Sequence, residues 1–206
     1  MPWLDRVESA MAWLVQSPLG LPTWCAAALV AMAVASAVVD LRKGLVPNWL
    51  TYSAVLVGLA GHALAGGVVG TDNDMGLAGS LAGLAVGFVP MMLVWLAGGI
   101  GGGDAKLMGA IGSIGGWLVA VDALFLGCLA AAVMAIWVMI RRKVVRQTLR
   151  RVFHAAALLF GGVRPADPTT PESPRIPFAV ALCVGVLGAV GKLAWYAIMH
   201  GGRPLG

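Results

Sequence analysis

Two aspartates stand where charge is costly. Asp40 closes an apolar run and opens the segment Asp40-Leu41-Arg42-Lys43-Gly44-Leu45-Val46-Pro47-Asn48. Asp104 follows Gly101-Gly102-Gly103 and precedes Ala105-Lys106-Leu107. Two carboxylates held together cannot both ionise easily, so they share a proton. The ionised acid can then take a proton from water while the protonated one hydrogen-bonds a peptide carbonyl. That is hydrolysis without a metal or a covalent intermediate. Taken singly, an acid at a span end reads more readily as an interfacial cap, at roughly two to one. The same two acids could instead form a proton relay in a transporter or channel, near mid-span beside a pore.

These acids must be positioned by helices in lipid. The chain has 206 residues, 60% apolar and 11% charged, with a mean hydropathy of +0.89. Soluble domains carry about 25% charged residues, so this composition excludes a soluble globular enzyme and a disordered tail. The net charge of +5 does not indicate a nucleic-acid partner, because the basic residues are not spread over a folded surface. Cys25, Cys128 and Cys183 are dispersed in apolar runs, which indicates neither a disulfide framework nor a zinc site. Nothing in the residues calls for a metal or another cofactor.

A crossing helix needs about 20 apolar residues. Residues 21–39, 49–69, 76–100, 119–140 and 177–199 meet that length, and 105–118 is a shorter sixth candidate, thin or re-entrant. Six spans with both termini outside place 40–48, 101–106 and 141–176 inside. Those segments hold every Lys and Arg except Arg6, Lys192 and Arg203. The expectation is therefore an all-α integral membrane protein, a bundle of about six transmembrane helices with short amphipathic helices at the interfaces. Both aspartates then face the same, inner side.

The chain divides into an amphipathic interfacial segment 1–20, the helices with both Asp motifs over 21–140, a basic loop 141–176, and a last span with a short tail over 177–206. In the loop, Arg142, Arg146 and Arg150 share one helical face, which suits solvent or anionic lipid headgroups. Residues 164–176, with four prolines, read as a linker. Gly79, Gly83 and Gly87 line one face of the third span, where another helix can come close. Gly101 to Gly103 can adopt positive φ and lie close to a peptide, and Asp104 can cap a helix starting at Ala105. Pro47 suits the first position of the second helix. Asp122 reads as an outer cap, and Lys192 as snorkelling or paired. His62, His154 and His200 are scattered, with no constellation around them.

Taken together, these segments resemble the type IV prepilin peptidase family, membrane aspartyl proteases with a GxGD motif. Asp40-Leu41-Arg42 followed by Val46-Pro47-Asn48 is similar to that family's D-x-[RK]…IPN, with Val in place of Ile. Gly101 to Leu107 fits GxGDxKL, and Ile176-Pro177-Phe178 is similar to its IPF segment. The resemblance runs from about Leu21 to Met199. It implies Asp40 and Asp104 as the catalytic pair, with Arg42, Pro47, Asn48, Gly101, Gly103 and Lys106 positioning the acids or the leader. It implies a prepilin or pseudopilin substrate, cut between a basic leader and a hydrophobic helix, in a bacterial inner membrane with the site facing the cytoplasm. Larger members carry a paired-cysteine domain before the first motif and also N-methylate the product. The dispersed cysteines here suit proteolysis without methylation, as in the small peptidases of Flp/Tad pilus systems.

Overall fold

In a computed structural model, the protein is described over residues 23–71, 74–97, 100–141 and 177–199. These residues form five α-helices: α1 (Thr23–Lys43), α2 (Asn48–Gly66), α3 (Gly76–Leu96), α4 (Gly102–Arg141) and α5 (Phe178–Met199). Each is long and apolar enough to cross a membrane. Large apolar side chains such as Leu56, Leu64, Phe125 and Leu129 point outward. Water does not favour such a surface, but lipid does. The chain is a multi-pass membrane protein. The segment 1–20, the basic helix and linker within 142–176, His154 and His200 lie outside the described residues.

Local sequence explains the helix ends. α1 carries Arg42 and Lys43 in its last turn, where the helix dipole favours cations. Gly44 then takes φ 67°, and its N–H donates to the Asp40 carbonyl at 2.7 Å. That left-handed terminus favours glycine. Pro47 is extended (φ −72°, ψ 140°) and precedes α2, so it stands one residue earlier than the first helical position expected for it.

Five helices replace the expected six because 105–118 and 119–140 are one element. α4 is 40 residues long and breaks at Gly116, which has φ 78° and ψ 178°. The first limb, 102–115, lies antiparallel to α3. Gly102 rests on the Trp95 indole, the Met108 carbonyl on Gly87, and the Gly112 carbonyl on Gly83. This limb is the centre of the bundle: Ala105 and residues 107–116 are all buried. The second limb, 117–141, lies antiparallel to α5, with Gly127 against Leu182 and Gly185, and Asp122 paired with Lys192. A helix apolar on every side belongs in the interior, and from Leu107 onward the first limb, with Ser113 its one polar side chain, is close to such a helix.

Gly83 and Gly87 do let a neighbouring backbone approach, as their spacing predicts. Gly79 does not; its open side faces Met75 of the preceding turn. A methyl at Gly83 would run into the Gly112 carbonyl and the Gly116 backbone, neither of which can swing aside. Gly83→Ala is expected to destabilise the bundle by about 1–3 kcal/mol, read as a lower thermal unfolding midpoint in detergent.

Candidate functional site

Four helix ends meet around the two aspartates. Asp40 is in the last turns of α1, Asn48 opens α2, Asp104 is in the first turn of α4, and Ala179 is in the first turn of α5. Asp40 and Asp104 are both half-buried. They stand close enough for the charge of Asp40 to act on Asp104. Residues 64 positions apart in the chain are thus brought to one end of the bundle.

Each acid is held by a helix start. The first N–H groups of a helix lack partners inside it and carry partial positive charge. In α5, the Val180 N–H turns back to the Pro177 carbonyl at 3.1 Å. The Ala179 N–H instead donates to Asp40 Oδ2 at 3.3 Å. Pro177, which precedes α5, has no N–H of its own to satisfy there. Asp104 sits inside its own helix start, two residues after Gly102 rather than at an N-cap before Ala105. Its N–H donates to the Gly101 carbonyl at 3.1 Å. The dipole argument for its anion is unchanged by this shift of register.

The glycines act differently from expectation. Gly101, Gly102 and Gly103 are not among the positive-φ residues, and Gly102 and Gly103 are already helical. What matters at Gly101 is close approach: a Cβ there would lie 3.2 Å from Asp104 Oδ2. At Gly103 a Cβ would lie 3.5 Å from the Val46 Cβ, an ordinary contact that seats the start of α4 on the loop after Asp40.

The two motifs are also joined directly. Lys106 Nζ donates to Asn48 Oδ1 at 2.9 Å and lies 5.4 Å from the centre of the Tyr52 ring. An ammonium over an aromatic face gains a further electrostatic contact. Tyr52 carried no sequence signal beyond its place one turn after Asn48. Arg42 is exposed and makes no ion pair among the described residues, so nothing there ties it to the acids.

Other charges are placed away from this end. Lys192 Nζ donates to both oxygens of Asp122, at 3.0 and 2.8 Å, so Asp122 is a partner within the second limb of α4 and not an outer cap. His62 has a constellation after all: it is fully buried, with Nδ1 2.7 Å from Asp74 Oδ1 and Nε2 2.9 Å from the Ile114 carbonyl. A histidine inside an apolar span, followed by an acid in the next loop, was the available signal. Cys25 and Cys183 are buried free thiols and Cys128 is exposed.

No curated protein and no solved structure matches the chain. A sequence model described as the type IV leader peptidase family matches residues 27–136, more than half of the chain and both aspartate motifs. With that match, the chain belongs to the type IV leader peptidase family and is a membrane peptidase.

Proposed function

We propose that this peptidase is an aspartyl endopeptidase in which Asp40 and Asp104 share one proton and activate one water. Its substrates are type IV prepilins or pseudopilins of the Flp/Tad kind, cut between the basic leader and the hydrophobic helix. The observation that carries the reading is the meeting of Asp40, Asp104 and the α5 N-terminus at one end of the bundle. The ionised carboxylate removes a proton from water, and the hydroxyl oxygen attacks the scissile carbonyl. The protonated carboxyl hydrogen-bonds the carbonyl oxygen as charge develops there. The tetrahedral intermediate then collapses, and the proton taken from water goes to the leaving amine.

The site lies at the cytoplasmic edge of a bacterial inner membrane, with both termini periplasmic. The limbs of α4 act as two separate traverses, the first one thin, which gives the sixfold alternation that the distribution of Lys and Arg favours. The basic stretch 141–176 meets anionic lipid. Acids at the end of a bundle suit this reading better than a proton relay, which needs them near mid-span. The product keeps a free, unmethylated N-terminus.

Co-expression with a type IV prepilin, followed by mass spectrometry of the pilin, tests the reading. Leader loss with an unmodified new terminus is expected. An intact prepilin overturns the peptidase assignment to that substrate class, and a methylated terminus overturns the activity boundary. Asn48→Ala leaves Lys106 with Tyr52 alone. Loss of one charge-assisted hydrogen bond is expected to lower kcat about tenfold, with unchanged protein in the membrane fraction.

A further inference from the structure

A helix that ends inside a protein leaves carbonyl groups without N–H partners, and burial makes that costly. The first limb of α4 ends this way at Gly116, with residues 107–116 all buried. Two side chains from other helices meet the stranded carbonyls. Ser80 Oγ of α3 donates to the Ser113 carbonyl at 2.6 Å. His62 Nε2 of α2 donates to the Ile114 carbonyl at 2.9 Å.

His62 is itself held in orientation. Because Nε2 gives its proton to a carbonyl, Nδ1 faces Asp74, with one proton shared across the 2.7 Å to Oδ1. Asp74 Oδ1 also accepts the Gly76 N–H at 2.8 Å. The Asp74 backbone is fastened to Thr71 in both directions, at 2.7 and 3.2 Å. The Trp24 ring lies against the imidazole with centroids 4.9 Å apart, and Cys25 Sγ is 3.6 Å from Nε2. Groups from α1, from Asp74 before α3, and from α4 therefore converge on the α2 imidazole, while the start of α3 holds Asp74. A nucleophilic triad is not what this arrangement makes, since both ring nitrogens are engaged and Cys25 is sealed from solvent.

Asp104 lies ten residues from Ile114 on the same limb, about 15 Å along a rigid helix. A limb gripped at Ser113 and Ile114 can neither slide nor turn without breaking buried hydrogen bonds. We propose that His62, oriented by Asp74 and aided by Ser80, is a positioning residue for Asp104 that acts through the first limb of α4 from the far end of the bundle. The inference rests on the reading of Asp104 as a member of the catalytic pair, and its test separates the two.

The test needs a ruler at Asp104 that does not depend on catalysis. Gly103 and Val46 provide it. A Cβ at Gly103 would lie 3.5 Å from the Val46 Cβ, within the separation of about 3.5–4.5 Å that a disulfide spans. Val46→Cys with Gly103→Cys, in a Cys128→Ser background, is oxidised with copper phenanthroline in native membranes. The rate of crosslinking is then measured with His62 intact, with His62→Leu and with His62→Gln, whose amide can still donate to Ile114. His62→Leu is expected to slow crosslinking about tenfold, while His62→Gln stays within about twofold of the parent, the scale of one buried hydrogen bond.

In the native-cysteine chain, His62→Leu is expected to lower kcat about 10- to 100-fold with KM nearly unchanged, the signature of a displaced reacting group. His62→Gln restores most of it. Crosslinking at the parental rate in His62→Leu overturns the proposal. If His62→Leu does not accumulate, Ser80→Ala decides: slower crosslinking supports the clamp, and the parental rate overturns it. Cleavage that survives Asp104→Asn sinks the aspartyl reading, while the crosslinking arm still judges the clamp.

Discussion

Asp40→Asn and Asp104→Asn are each expected to abolish leader cleavage, with at least about a 10³-fold fall in rate, in the range of a lost general acid or base. Neither is expected to leave the membrane. Asparagine keeps the size of aspartate, and its amide oxygen can still accept the Ala179 N–H that Asp40 Oδ2 accepts at 3.3 Å. Only the capacity to exchange a proton is lost. Both variants should be inactive under the proposed mechanism, in which the two acids share one proton: an amide can still donate a hydrogen bond to a carbonyl, but it can neither take a proton from water nor hand one on. A co-expressed prepilin and an immunoblot for leader loss, with the peptidase quantified in the same membranes, read both quantities. Substantial cleavage by either variant at normal abundance would remove the dyad from the mechanism.

Gly116→Ala is expected to destabilise the protein by about 1–3 kcal/mol, because φ 78° with ψ 178° is a region that residues with a Cβ rarely occupy. The nearest obstacle to the new methyl is Met75 Sδ at 2.8 Å, the far end of a flexible side chain, so backbone strain and not crowding is the main cost. The break has to be there. Without it, the first limb would continue straight on from the buried end where His62 and Ser80 meet it. The second limb could not then return along α5. Thermal unfolding of detergent-solubilised protein, compared with Gly115→Ala as a neighbour, measures the effect. Gly115 is helical but tightly packed against Val119 and Leu29, so its loss reports crowding and not dihedral strain. The two variants should separate on adding Val119→Ala, which removes the Cγ1 contact and partly relieves Gly115→Ala but does not ease the dihedral strain of Gly116→Ala.

The membrane character and the two aspartate motifs could be read along the chain because each is a local contrast. Asp40 and Asp104 are single charges at the margins of long apolar runs, and lipid makes such charges conspicuous. The small-residue face of Gly83 and Gly87 was equally visible, since helical spacing alone puts those positions together. The exact place of the break within α4 was not: the candidate spans divide at 118/119, and the helix breaks at Gly116. Gly115 and Gly116 sit in an uninterrupted apolar stretch, and whether a glycine bends or continues a helix depends on what receives the freed carbonyls. Here those receivers are His62 and Ser80, from two other helices.

The same distinction runs through the site. Residue type and order along the chain specified how many apolar segments there are to bury, which acids stand exposed to that cost, and which glycines permit close contact, because these follow from neighbours within a few turns. That Asp40 accepts a hydrogen bond from the start of α5, that Lys106 reaches Asn48, and that His62 is paired with Asp74 depends on groups brought together by packing. Hydrogen bonds need atoms within about 3 Å, and the distance along a chain says little about separation in space until the helices are docked.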